Sequence, residues 1–107
     1  MGQTANIKPV QEFRRRLERD FRVERMILFG SRARGTAQTD SDWDVLIVSP
    51  NFTKHRFLDR MRRMYRYWDY DHYGAFEPLT YTPKEFAIRS TGPNIVREAV
   101  RTGIEIK

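Results

Sequence analysis

Cysteine is absent from the 107 residues, which excludes disulfides, zinc–thiolate sites and thiol catalysis and suits a reducing compartment. Long apolar runs are missing too. None approaches the length that spans a bilayer, and the opening MGQTANIKPV lacks the apolar stretch of a signal peptide. The expectation is a cytoplasmic protein with no membrane association. Lysine is scarce: of twenty basic residues, sixteen are arginine and four lysine. There is no internal repeat, low-complexity stretch or linker, so residues 1–107 are expected to form one domain.

What is present is a globular composition, 39% apolar, with seven Phe, five Tyr and two Trp. The net charge is +6. Arginine pairs bidentately with phosphate and carboxylate, so this balance favours a nucleotide, a nucleic acid or an acidic protein as partner, set against a merely solubilising surface. Val10, Phe13, Leu17 and Phe21 recur at spacings of three and four, predicting a helix over residues 9–21 with Arg14, Arg15, Arg16 and Arg19 on its other face. A second helix is expected over about residues 54–68, burying Phe57, Leu58, Met61, Met64, Tyr65 and Trp68 and exposing Arg56, Arg60, Arg62, Arg63 and Arg66. The two arginine-rich faces form a candidate docking surface for an acidic partner. Asp69-Tyr70-Asp71-His72 is too tightly spaced to converge on one ion and reads as a turn.

Between these helices lies ILFGSRARGTAQTDSDWDVLIV, residues 27–48. A strand over Val23–Phe29 breaks at Gly30-Ser31, a polar loop runs to Ser41, and Asp42-Trp43-Asp44 opens a second strand ending at Val48. Strand residues two apart share a face, so Asp42 and Asp44 present their carboxylates side by side with Trp43 behind. Anions this close are tolerable around divalent cations, and hard oxygen donors suit Mg²⁺. The glycine turn, at the start of a helical segment, makes an anion-binding concavity to which Ser31 adds a hydroxyl and Arg32 or Arg34 adds charge. Ser41 is either a turn residue or a hydrogen-bonding support for Asp42. A third strand is expected over Tyr73–Thr82, with Glu77 its only acid. Thr82-Pro83-Lys84-Glu85 then forms a capping box for a helix. The tail to Lys107 reads as structural, with one or two short helices broken at Thr91-Gly92-Pro93, Gly103 as a C-cap and a last strand over Ile104–Ile106.

GSRARG followed by SDWDVLIV resembles the nucleotidyltransferase superfamily typified by DNA polymerase β, in particular its minimal members, often encoded beside a HEPN-domain protein. That resemblance implies an α+β fold, a small mixed sheet with helices packed on one face. It implies Gly30, Ser31 and Arg34 as the phosphate-binding group, with Arg32 beside them, and Asp42 and Asp44 as metal ligands. Glu77 matches the third carboxylate, just upstream of the Thr-Pro-x-Glu-Phe helix start. Two Mg²⁺ ions would then serve transfer of a nucleoside monophosphate, AMP from ATP, to an acceptor hydroxyl. A chain of 107 residues leaves no room for an acceptor domain, so a partner chain or a homo-oligomer is expected to complete the site. The resemblance implies a HEPN partner, modified on a tyrosine by an antitoxin. The alternatives are a non-catalytic nucleotide-binding module that neutralises its partner, a small-molecule nucleotidyltransferase, and a basic RNA-binding module.

Overall fold

A computed structural model describes residues 5–107, and at its centre is a four-stranded sheet in the order β3-β2-β1-β4. β1 (Arg25–Phe29) runs antiparallel to β2 (Trp43–Val48) and to the short β4 (Ile104–Glu105), while β2 and β3 (Phe76–Tyr81) are parallel. The sheet is therefore mixed, as expected. Parallel pairing needs a long crossover, and residues 49–75 supply it through a 3₁₀ turn (Pro50–Lys54) and two helices, α3 (Phe57–Tyr65) and α4 (Tyr70–Tyr73). Three further helices complete the fold: α1 (Lys8–Leu17), α5 (Pro83–Arg89) and α6 (Ile95–Thr102). A helical turn over Ser31–Arg34, α2, follows β1 directly.

The period-two alternation of the strands divides the core in two. Met26, Leu28, Trp43, Val45, Ile47 and Phe76 point to one face and pack with Val10, Phe13 and Leu17 of α1 and with Phe52, Met64 and Trp68 of the crossover. Aromatic stacking is dense there: the rings of Trp68 and Phe76 lie parallel with centroids 4.5 Å apart, and Phe13 meets Phe76 edge-on at 5.0 Å. Ile27, Phe29, Leu46, Val48 and Tyr81 point to the other face, where Val96 and Ala99 of α6 cover part of it. To the helices on the first face the structure thus adds α6 and, through Phe86, α5 on the second, which bury Ile27, Leu46, Val48 and Tyr81 and leave the Asp44 and Glu77 end accessible.

The predicted helix over 9–21 ends at Leu17. Phe21 still reaches the core because a turn, with the Phe21 N–H bonded to the Leu17 carbonyl at 2.9 Å, carries it there. The Arg22 N–H is then held by Asn51 Oδ1 at 2.7 Å. No helix-breaking residue marks that end, and a contact with a distant segment redirects the chain. Two of the α1 arginines are not free for a partner: Arg14 donates to the carbonyls of Ile106 and Val23, and Arg16 donates to that of Tyr67 at 2.8 Å. Arg15 and Arg19 remain exposed.

The face expected for the second helix is corrected more sharply. Met64 and Trp68 are buried, but Phe57, Leu58 and Tyr65 are 49%, 68% and 47% exposed, and Arg60 is 7% exposed. The helix is rotated so that Arg60 faces inward. Its Nε donates to the His55 carbonyl at 3.1 Å, its Nη1 donates to Glu85 Oε1 at 2.7 Å, and its guanidinium lies over the Phe52 ring. Glu85 also closes the expected capping box, accepting from the Thr82 N–H at 2.8 Å while Thr82 Oγ1 accepts from Glu85 N–H. One carboxylate therefore ties the crossover helix to the helix after β3. Asp69 caps α4, accepting from His72 N–H and pairing with its ring, so the Asp-His knot is a helix cap.

Replacing Arg60 with methionine keeps the volume but removes both bonds and leaves Glu85 with half its partners. The expected loss is about 2 kcal/mol of unfolding free energy, read as a lower urea midpoint at an unchanged denaturant slope. An unshifted midpoint would show that the pair contributes no net stability.

Candidate active site

Register assembles the site. Phe29, Asp44 and Glu77 are Cα partners across β1, β2 and β3, forming a single row on the second face of the sheet. Strands pair about 4.8 Å apart, so two acidic side chains in that row are close neighbours, an arrangement that costs stability unless something positive joins them. Sequence alone places Asp44 on a strand. Only the parallel pairing, achieved after a long crossover, sets Glu77 beside it. Asp42 lies one residue before β2 and is exposed, at the mouth of the same face. Trp43 points the opposite way, buried, its Nε1 donating to the Tyr73 carbonyl at 2.9 Å.

Gly30 closes over this pair. It has φ +74°, and a Cβ there would overlap Oδ2 of Asp44. Glycine is thus required twice, by its backbone conformation and by the close approach of the turn to the carboxylate. The α2 turn begins at Ser31, and the N–H groups of Ser31 and Arg32 have no carbonyl one turn back to accept them. Arg34 is exposed and borders the cleft, and its charge acts on Asp44. Arg32 is committed differently. Its Nη2 donates to the carbonyls of Ser41 (2.8 Å) and Thr39 (3.2 Å), and its guanidinium stacks 4.3 Å over the Trp43 ring. It pins the loop that leads into Asp42. The Ser41 hydroxyl accepts from Gln38 N–H at 2.9 Å, so it shapes that loop's turn.

The carboxyl of Asp44 is pushed up from 3.8 to about 6, first by burial, then by the negative charges of Glu77 and Asp42 and a hydrogen bond with Glu77. Arg34 pulls it the other way. Among the described residues, no three His, Asp or Glu side chains stand together as a ready ligand cluster. The arrangement is a facing pair, Asp44 and Glu77, with Asp42 exposed and its charge acting on Asp44. It still suits a hard divalent cation: the donors are all carboxylate oxygens, and their mutual repulsion is the kind a cation relieves.

A cleft of about 400 Å³ opens from the carboxylates. Gly30, Arg34, Asp44 and Glu77 make its charged end, and Phe29, Leu79, Ile95 and Ala99 give it apolar walls, with Glu98 and Thr102 beside them. Its size falls within the range of small-molecule sites. The α6 residues were not legible as site residues, because their amphipathic spacing is that of any packed helix.

Because the folded-state pKa of Asp44 lies above its unfolded value, the stability this carboxyl contributes is full below about pH 4 and is lost as pH rises through about 6. Asp44→Asn should therefore match the wild type in acid and exceed it above about pH 6, by about 1 kcal/mol once solvent screening of a half-exposed group is allowed for. Mg²⁺ should raise the wild-type melting temperature at neutral pH and leave that of the variant unchanged. Thermal unfolding across pH, with and without Mg²⁺, checks both. A variant no more stable than the wild type at neutral pH would contradict the crowding of charge at Asp44.

Comparison with known proteins identifies the family and the fold. The family model described as the nucleotidyltransferase domain matches residues 10–100. A protein of Methanocaldococcus jannaschii, provisionally named a protein adenylyltransferase, is 34% identical over 84 residues, 76% of this chain and 55% of that protein. The chain thus spans about half the length of that curated relative. Among solved structures, a crystal structure at 1.40 Å from Sulfolobus solfataricus, provisionally named a nucleotidyltransferase, superposes with a TM-score of 0.65 at 22% identity, covering 98% of this chain and 87% of the other. At that identity the likeness establishes the fold. The family match encloses the glycine turn, Asp42, Asp44 and Glu77 alike, and the chain belongs to the nucleotidyltransferase domain family.

Proposed function

We propose that this protein transfers a nucleoside monophosphate, AMP from ATP, to a hydroxyl group on a partner protein. The observation that carries the reading is the row Asp44–Glu77, set in register under the Gly30 turn and facing a cleft that Arg34 borders. Two Mg²⁺ ions, held by Asp42, Asp44 and Glu77, would supply Lewis acidity toward the triphosphate and the acceptor oxygen.

The chain's own groups divide the remaining work. Gly30 lets a phosphate approach the backbone, the N–H groups and hydroxyl of Ser31 donate to its oxygens, and Arg34 neutralises charge on the leaving pyrophosphate. The acceptor oxygen attacks the α-phosphorus, and a P–O bond forms as the bond from that phosphorus to the bridging oxygen breaks. Pyrophosphate leaves, and the hydroxyl proton passes to a carboxylate oxygen of Glu77 on its way to water. Ser31 has no His or Lys hydrogen-bonded to it among the described residues and acts as a phosphate ligand rather than a nucleophile. Arg32 contributes indirectly, by holding the loop before Asp42.

The relative named for protein adenylyltransfer supports AMP as the transferred group and a protein as acceptor. The resemblance to minimal nucleotidyltransferases further supports a HEPN-type partner, with this chain as the antitoxin of the pair. Exposed Arg15 and Arg19 on α1, and Arg56, Arg62 and Arg66 on and beside α3, suit an acidic docking face. One observation favours a second reading: among the described residues no three acidic side chains stand together as a ready ligand cluster, as in a module that binds nucleotide and neutralises its partner without transfer.

The test is incubation with Mg²⁺ and each α-labelled nucleoside triphosphate, with and without the protein encoded by the neighbouring gene, following label and pyrophosphate. Label should appear on the partner from ATP, and Asp44→Ala should reduce it by at least about a hundredfold. ATP binding without movement of label to any acceptor would instead support the non-catalytic module.

A further inference from the structure

Residues 95, 98, 99 and 102 are spaced as one face of α6, and all four line the cleft that holds Asp44 and Glu77. The tail that reads as structural in the sequence is therefore one wall of the site. That wall is rigidly seated. A Cβ at Gly103 would overlap the Ala99 carbonyl and come 2.8 Å from the Leu28 carbonyl, so glycine there serves close packing against β1, with φ at an ordinary −81°. Directly after it, β4 pairs with β1, and the Ile106 N–H bonds to the Met26 carbonyl at 2.8 Å.

The cleft is chemically divided. Its charged end, with Gly30, Arg34, Asp44 and Glu77, suits a polyphosphate and its counter-ions. The remaining lining is apolar: Phe29 lies beside Asp44 in the carboxylate row, Leu79 follows Glu77 two residues along the same face of β3, and Ala99 comes from α6, which brings a single charged group to the lining, Glu98. The Thr102 hydroxyl donates a hydrogen bond to the Glu98 backbone carbonyl at 2.8 Å. Arg101 Nη2 donates to both carboxylate oxygens of Glu98, at 3.0 and 3.2 Å, in a pair that stays open to solvent. An ionised carboxylate accepts and does not donate, has lone pairs beyond those Arg101 uses, and repels phosphate. Its place beside a bound nucleotide is with the uncharged portion.

We propose that α6 is the nucleoside wall of the cleft, with Phe29, Leu79 and Ala99 seating the apolar surface of sugar and base and Glu98 accepting a hydrogen bond from a nucleoside donor. This rests on the nucleotidyl-transfer reading and deepens it, because it assigns recognition to a helix outside the glycine turn and the carboxylates. The donor is either a ribose hydroxyl or an exocyclic amine, and the two are separable by experiment.

The measurement is calorimetric binding of tripolyphosphate, ATP, 2′-deoxy-ATP and ITP, each with Mg²⁺, to the wild type, Glu98→Met and Glu98→Gln, with melting temperatures to establish that the variants fold. Glu98→Met should weaken ATP by about tenfold while tripolyphosphate binds as before or more tightly, since a negative charge has been removed. Glu98→Gln, which keeps an acceptor oxygen, should fall between. A wild-type preference for ATP over 2′-deoxy-ATP that disappears in Glu98→Met identifies the ribose hydroxyl as donor. A preference over ITP that disappears identifies the amine. Equal changes for ATP and tripolyphosphate, or no change in either, would overturn the proposal. If neither ligand binds the wild type, the nucleotidyl-transfer reading itself fails, and this inference with it.

Discussion

Two carboxylates sit side by side on adjacent parallel strands, and much of the rest of the molecule can be understood as holding them there. Asp44 and Glu77 repel, and nothing about β-structure favours acids in register. The sheet bears that cost because each strand is buried elsewhere along its length. Leu46 beside Leu79 and Val48 beside Tyr81 continue the same face, while Trp43 beside Phe76 anchors the opposite one in an aromatic cluster. A slip of one residue would turn Trp43 toward the cleft face and Asp44 into the core, so apolar packing enforces the register that the chemistry needs. The raised pKa of Asp44 is the electrostatic trace of that enforcement.

The arginines, which dominate the basic residues, serve more than one purpose. Arg14, Arg16 and Arg60 are structural donors, each reaching a backbone carbonyl far outside its own helix turn or a carboxylate on another helix. Arg32 shapes the loop before Asp42 by holding two carbonyls while stacking on Trp43. A planar group with five donors can satisfy several carbonyls at once, which an ammonium on a flexible stem does less well, and this accounts for the preference for arginine inside the fold. Arg34 borders the cleft beside the carboxylates, and Arg15, Arg19, Arg56, Arg62 and Arg66 face solvent. The exposed charge is thus smaller than the composition suggests, and it is spread over α1, α3 and the C-terminal helices, where Arg89, Arg97 and Arg101 are also exposed.

The site lies at the one end of the second sheet face that the helices leave accessible. α6 packs over Ile27 and over Phe29 at one end of the carboxylate row and leaves Asp44 and Glu77 accessible, so the cleft is lined by strand residues, the glycine turn and a helix. In this respect the short C-terminal segment supplies a wall in a fold with little else to build one from.

Local features were legible wherever a short pattern has one physical meaning. Gly30-Ser31 before a helical turn, Asp-x-Asp at a strand start, the Thr82–Glu85 capping box and the alternation of β1 and β2 all follow from neighbours within a few residues, and they determined the strands, the cap and the acidic mouth of the site. The orientation of α3 was not legible, because Phe57, Leu58, Met61 and Met64 mark an apolar face without saying which of its edges meets the sheet. The buried bond from Arg60 to Glu85, twenty-five residues away in sequence, decided that. Nor could local pattern show that α1 would end at Leu17, that Arg32 would be taken up by the loop, or that Glu98 would border the cleft. What the sequence by itself determined was the type of the strands and of the longer helices, and the chemistry they carry. Which carboxylates meet, which arginines remain free and which helix walls the cleft were decided by tertiary structure, because each depends on a register or packing angle set by groups distant along the chain.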